Sequence, residues 1–130
     1  MTRVVVAEDD ESMRTLLVEA LREDGFEVVE AENGRELFWA VENASSPVEI
    51  VVSDLRMPAY NGLDIVQAWA ELGGGPRVVL MSAFPDPEIR LRAERLGVPL
   101  LEKPFELWEL RSLVQSAAQA LARRAPQQKS

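Results

Sequence analysis

The chain has neither cysteine nor histidine. Without cysteine there is no disulfide, no zinc–thiolate site and no thiol nucleophile, which is the pattern expected of a cytoplasmic protein. Without histidine the usual general base, the usual imidazole metal ligand and any phosphohistidine are excluded. Any chemistry must therefore come from carboxylates, hydroxyls, lysine, arginine and a bound ion. No apolar run approaches the roughly 20 residues that a membrane-spanning helix needs. The N-terminus passes from Met1-Thr2-Arg3 directly into Val4-Val5-Val6, without the layout of a signal peptide. Positive charge is scarce as well: 14 Lys and Arg stand against 22 Asp and Glu, a formal charge of −8. Such a surface repels nucleic acid phosphates unless basic residues are segregated, and the one basic cluster, Arg123-Arg124 with Lys129, lies at the C-terminus. The expectation is a protein with no nucleic-acid and no membrane partner.

What is present is a repeating pattern. The 130 residues and the 47% hydrophobic fraction suit one compact domain. Short β-rich apolar runs alternate with stretches of helical period. Val4–Ala7 reads as a strand buried on both faces. Asp10 or Glu11 opens a helix with Met13, Leu16, Leu17, Ala20 and Leu21 on its apolar face, and Gly25 stops it. Phe26–Ala31 is the second strand, and Asn33 caps a second helix carrying Leu37, Val41 and Ala44. Val48–Val52 is the third strand, followed by Ser53-Asp54 and a loop from Leu55 to Gly62. A third helix turns Leu63, Val66 and Trp69 or Ala70 inward and ends at Gly73-Gly74-Gly75. Val78–Met81 is the fourth strand. Asp86-Pro87 starts the fourth helix and Gly97 ends it. Val98–Leu101 is the fifth strand, and the fifth helix buries Leu107, Leu110, Leu113, Val114 and Leu121. The pattern is (βα) five times over, an α/β fold with helices on both faces of a five-stranded parallel sheet. The domain is expected over 1–122, with 123–130 a flexible tail or the stub of a linker.

The polar residues collect at strand ends. Glu8 and Asp9 follow the first strand, Asp54 closes the third, Ser82 closes the fourth and Lys103 follows the fifth. In a parallel sheet these ends share one edge, and ligands bind there, at the crevice where strand order reverses. Three carboxylates side by side repel one another, so either one is protonated or a cation sits among them. A hard divalent ion with oxygen ligands answers this. Magnesium is favoured, with manganese as an alternative, because it accepts a few carboxylates and keeps waters that a phosphoryl group can replace. Together with a lysine and a hydroxyl, this inventory suits a carboxylate that attacks phosphorus to give an acyl phosphate.

Four segments, taken in order, resemble the receiver domains of two-component response regulators, the CheY-like family. They are Val5-Val6-Ala7-Glu8-Asp9-Asp10, Ser53-Asp54-Leu55-Arg56-Met57-Pro58 with Gly62, Leu80-Met81-Ser82-Ala83, and Lys103-Pro104-Phe105. The resemblance covers residues 3 to about 122. It implies a flavodoxin-like, doubly wound sheet of order 2-1-3-4-5, an order taken from that architecture and not from the pattern. It implies Asp54 as phosphoacceptor, Glu8 and Asp9 as the acid pair, and metal ligands from Asp9, Asp54, Glu8 and the backbone carbonyl of Arg56. It makes Ser82 and Lys103 the groups that engage the phosphoryl. The Lys103–Pro104 bond is often cis in the family. Leu100 stands where the family usually has an inward-swinging Tyr or Phe, in a Gly97–Lys103 stretch one residue short, so the aromatic half of the switch is lacking. Arg56 and Phe84 stand at positions that flank the attacking water, and their bulk implies slow self-dephosphorylation. The implied partners are a sensor histidine kinase or a histidine phosphotransfer protein, and a downstream protein on the surface of the fourth helix, fifth strand and fifth helix. A homodimer is compatible with the sequence.

Rival readings remain open at this level. One is a receiver segment of a longer regulator with an output domain. Another is a phosphorylation-independent docking domain. A third is a hydrolase with an aspartyl nucleophile, against which Arg56 counts, because haloacid-dehalogenase-like enzymes usually carry a second Asp there. The glycines at 73–75 follow a helix and precede a strand, the reverse of a phosphate loop. Trp69 is expected in the core and Trp39 at a helix edge. Trp108 admits two readings, an exposed protein contact or a cover for the core edge.

Overall fold

The computed structural model describes the backbone of residues 1–128 and side chains as far as Arg123. One five-stranded sheet is built from β1 Arg3–Ala7, β2 Glu27–Ala31, β3 Ile50–Asp54, β6 Arg77–Ser82 and β7 Leu100–Glu102, in the order β2-β1-β3-β6-β7. Every pairing within it is parallel. Two short strands, β4 Arg56–Met57 and β5 Tyr60–Asn61, make a separate antiparallel hairpin. The helices are α1 Glu11–Glu23, α2 Gly34–Glu42, α3 Gly62–Glu71, α4 Pro87–Leu96 and α5 Leu107–Gln128. Counting the sheet strands alone, the order is 2-1-3-4-5, as expected. Among the described residues no helix is long and apolar enough to cross a membrane.

The alternation of side chains along each strand splits the core into two layers. Val4 and Val6 of β1 face α1 and α5, where they meet Leu17, Leu21, Leu110 and Val114. Val5 and Ala7 face the other way, toward Leu37 of α2, Leu63 and Trp69 of α3 and Ala93 of α4. This two-sided burial is why β1 reads as an unbroken apolar run. Leu110 is wholly buried, so truncating it to alanine is a change of about 2–5 kcal/mol.

The helix starts follow the sequence closely. Asp10, Asn33 and Asp86 each accept a backbone N–H from the third residue on, at 2.8–2.9 Å, bonds worth about 1 kcal/mol each. At the end of α4, Gly97 adopts φ 70°, its N–H bonds Glu94 O at 3.0 Å and the Val98 N–H bonds Ala93 O at 2.9 Å. This Schellman closure claims Val98 for the helix cap, so the fifth sheet strand starts at Leu100 and not at Val98. In α3 the inward residue is Trp69, while Ala70 is exposed. The final helix runs past the boundary drawn at 122, through Gln128. Arg123, Arg124 and Ala125 are strong helix formers, which favours continuation after the apolar stripe stops, while Pro126 within the same helix opposes it. Lys129 and Ser130, included in the expected tail, lie outside the described residues.

Candidate functional site

The strand ends named from the sequence meet at one edge of the sheet. The Glu8 N–H bonds Ala31 O at 3.0 Å, which carries the β1–β2 pairing one residue beyond the strand and buries the Glu8 side chain completely. Its backbone carbonyl accepts a bond from Arg14 Nη1 at 2.8 Å, tying it to α1. Asp9, the next residue, is exposed. Asp54 is buried at the end of β3, and Ser82 is buried at the end of β6. The Lys103 N–H bonds Ser82 O at 2.8 Å, which fixes the fifth strand's end beside the fourth's. The Lys103–Pro104 peptide is cis.

Lys103 Nζ lies 2.7 Å from Glu8 Oε1 and 2.9 Å from Asp54 Oδ1. Carboxylate oxygens of Glu8, Asp9 and Asp54 all lie within 4.8 Å of one another. One ammonium among three carboxylates leaves negative charge uncompensated, and the electrostatics show it. Burial pushes the Glu8 carboxyl above the usual carboxylate range, the Asp54 carboxylate beside it adds to the rise, and Lys103 offsets the rise only in part. Burial alone would lower the Lys103 ammonium, but its bonds to Glu8 and Asp54 outweigh that and raise it. An all-oxygen donor set with unbalanced charge, and no histidine or cysteine anywhere in the chain, fits a hard cation such as magnesium or manganese.

A cavity of about 240 Å³ adjoins Asp54, lined by Asp54, Arg56, Ser82, Ala83, Phe84 and Lys103. Asp54 and Lys103 thus belong both to the acidic cluster and to the cavity. Phe84 is 90% exposed at the cavity's rim, and Arg56 is exposed as well. Leu100 is not in this group. It is half-buried in β7, opposite Leu80, and packs on the core layer of α2, α3 and α4.

Two neighbours of the site were not singled out from the sequence. Ser53 is wholly buried; its Oγ donates to the Asp54 carbonyl at 2.8 Å and lies 2.9 Å from the Tyr60 hydroxyl. Burial raises the Tyr60 phenol, and the bond to Ser53 offsets part of that rise. Tyr60 is the only tyrosine of the chain. A lone phenol in a short loop beside a candidate acceptor was the available signal.

Comparison with known proteins gives the family and the fold. The family model described as "Response regulator receiver domain" matches residues 4–115. The DNA-binding transcriptional regulator NtrC of Azospirillum brasilense is 34% identical over 116 residues, 88% of this chain and 24% of that protein. The transcriptional regulatory protein PdtaR of Mycobacterium tuberculosis is 37% identical over 111 residues, 83% of this chain and 52% of that protein. The response regulator receiver protein CpdR of Brucella abortus is 28% identical over 116 residues, 85% of this chain and 91% of that protein. Across the first curated relatives it matches, the chain spans between about a quarter and a half of their length. Among solved structures, the non-phosphorylated HemR receiver domain of Leptospira biflexa shares 29% identity with a TM-score of 0.76, covering 90% of this chain and 94% of that one. The signal receiver domain of a putative LuxO repressor of Vibrio parahaemolyticus shares the fold, with a TM-score of 0.85 at 21% identity, covering 95% of each chain.

Proposed function

The chain belongs to the response regulator receiver family, and from that premise we propose that it is a signalling switch set by phosphorylation of Asp54. The observation that carries this reading is the meeting of Glu8, Asp9, Asp54 and Lys103 at one sheet edge, with Ser82 across the adjoining cavity. Asp9, Asp54, Glu8 and the Arg56 backbone carbonyl would hold a magnesium ion, or manganese in its place, which when bound offsets the charge that develops during phosphoryl transfer.

The rest is done by the chain's own groups. An Asp54 carboxylate oxygen attacks phosphorus in line. The new O–P bond forms as the P–N bond of a donor phosphohistidine breaks, and the imidazole leaves with its electron pair. Lys103 moves its ammonium contact from the Asp54 carboxylate to the incoming phosphoryl oxygens while keeping Glu8. The Ser82 hydroxyl donates to a phosphoryl oxygen and draws in the β6–α4 connection. With Leu100 in the place of the usual aromatic, that movement passes through smaller shifts of α4 and β7. Phosphorylation then biases an existing pair of conformations.

The donor is a histidine kinase or a histidine phosphotransfer protein, and the reading places the protein in the cytoplasm. Output goes by protein contact on the face of α4, β7 and α5, with residues 1–122 as the receiver unit and 123–130 as a linker stub. A second reading, a receiver segment of a longer regulator, is favoured by the greater length of several relatives. CpdR, matched over 91% of its length, favours a free-standing receiver.

The test is incubation with magnesium and acetyl phosphate or a phosphoramidate, followed by intact mass. One phosphate adduct is expected, absent in Asp54→Ala. No adduct in the parent chain would leave only the phosphorylation-independent docking reading.

A further inference from the structure

We propose that the hydrogen bond between Tyr60 and Ser53 is a latch that positions the ion site, by holding down the hairpin that carries Arg56. The inference rests on the receiver reading above and assigns to it two positioning residues.

The loop after Asp54 is closed at its neck by the Gly62 N–H, which bonds Leu55 O at 2.7 Å. Above the neck, Arg56 pairs with Asn61 and Met57 with Tyr60. A hairpin of two-residue strands does not hold its shape in water unaided, so it must be fastened elsewhere. On one arm the fastening is Met57, buried in the core. On the other arm it is Tyr60. The Tyr60 hydroxyl reaches Ser53 Oγ at 2.9 Å, and Ser53 Oγ in turn donates to the Asp54 carbonyl at 2.8 Å. A serine hydroxyl has one proton, and it is committed to Asp54, so Tyr60 must be the donor. The resulting chain, Tyr60 O–H to Ser53 O–H to Asp54 C=O, ends on the residue whose carboxylate bonds Lys103.

The ring of Tyr60 is fixed from the other side as well. It lies against Gly34, the first residue of α2, so closely that a β-carbon there would collide with its Cδ2 and Cγ. The phenol is therefore held between α2 and β3. No other side chain of the β4–β5 hairpin makes a hydrogen bond to a sheet residue among the described residues. Loosening this bond frees the arm opposite Arg56 while leaving Glu8, Asp9, Asp54 and Lys103 in place. Its effect should fall on ion affinity more than on the carboxylates themselves.

The experiment titrates the full chain with Mn2+ alone and reads free Mn2+ by electron paramagnetic resonance, with thermal melts run alongside. Tyr60→Phe and Ser53→Ala are each expected to weaken Mn2+ binding about three- to tenfold. The double variant should bind no more weakly than Ser53→Ala alone, because that substitution already removes the bond to Tyr60 along with the one to Asp54. Raising Mg2+ should restore phosphate uptake from acetyl phosphate in each variant. Variants that melt lower yet bind Mn2+ like the parent would make the bond a structural one and overturn the latch. Should Ser53→Ala fail to fold, Tyr60→Phe decides alone, since it keeps both the ring on Gly34 and the bond from Ser53 to Asp54. A parent chain that neither binds Mn2+ nor takes up phosphate overturns the phosphorylation-switch reading and the latch together. A parent that does both, with variants indistinguishable from it, overturns the latch only.

Discussion

Lys103 Nζ and Glu8 Oε1 stand 2.7 Å apart although 95 positions separate the two residues in the chain. Glu8 has no exposed surface, while the Lys103 side chain is about one-fifth exposed. Removing one member of a buried pair strands the other charge, at about 3–5 kcal/mol when both are fully enclosed. Here partial access to water reduces that. Lys103→Met should therefore lower stability by roughly 2 kcal/mol in metal-free buffer. Added Mg2+ should recover part of the loss by supplying positive charge to the same carboxylates. Urea unfolding with and without Mg2+ measures both effects, and a variant as stable as the parent without the ion would contradict this account.

Asp9 gives the complementary case. It is exposed, and its carboxylate adds negative charge to an already crowded cluster. A ligand that binds only the folded state stabilises it by about 2.7 kcal/mol at a hundred times its Kd. The parent chain should gain stability of that order in saturating Mg2+. Asp9→Ala should lose most of the gain yet be no less stable than the parent in chelator. Equal Mg2+-induced shifts in the two melting curves would remove Asp9 from the ligand set.

Much of this was legible because a parallel sheet buried on both faces writes each strand as an apolar run, and each run here stops at a polar residue. Val4–Ala7 stops at Glu8, Val51-Val52 at Ser53-Asp54 and Val78–Met81 at Ser82. The helix caps were equally plain, since Asp10, Asn33 and Asp86 act within three residues of themselves. What stayed hidden depends on contacts across the fold. The β4–β5 hairpin is too short for alternation to show, and nothing local pairs Tyr60 with Ser53 or with Gly34. The fifth strand began later than Val98 because Gly97 ends α4 in a cap that takes the next N–H as well. Trp108, which had two readings, is 67% exposed and does not seal the core.

The hairpin turn offers a test of local strain. Ala59 sits at φ 58°, directly after Pro58. Proline followed by a residue of positive φ is the layout of a type II turn, where glycine is preferred because a β-carbon meets the backbone. Ala59→Gly should relieve that clash and raise stability by about 0.5–1 kcal/mol, after the greater chain entropy of glycine is deducted. Chemical denaturation decides it, and a loss of stability would mean that Ala59 makes contacts worth more than the strain.

Exposure makes Trp108 a clean probe of output. A side chain two-thirds in solvent contributes little to folding, so Trp108→Ala should leave the melting temperature nearly unchanged. If the face of α4, β7 and α5 receives the downstream protein, the same substitution should weaken that binding by tenfold or more, as large aromatics at contact centres do. Calorimetric titration with the downstream protein, or sedimentation for a self-contact, reads the loss. Unchanged binding with an intact fold would assign the residue to the surface alone.

If Asp54 takes a phosphoryl group as proposed, Phe84 and Arg56 are the residues expected to set how long the signal lasts. Both line the cavity next to Asp54, and hydrolysis of an acyl phosphate there requires water to reach phosphorus in line, opposite the Asp54 oxygen. Phe84 is 90% exposed, so its bulk stands at the entrance and is not part of the packed core. The parent chain should hold its phosphoryl group for minutes or longer. Phe84→Ala should shorten that lifetime several-fold while changing stability by less than about 0.5 kcal/mol, the usual range for a surface substitution. Phos-tag gels after removal of acetyl phosphate follow the decay directly. A parent half-life of seconds, or a Phe84→Ala lifetime equal to the parent's, would show that side-chain bulk at the rim does not limit the approach of water.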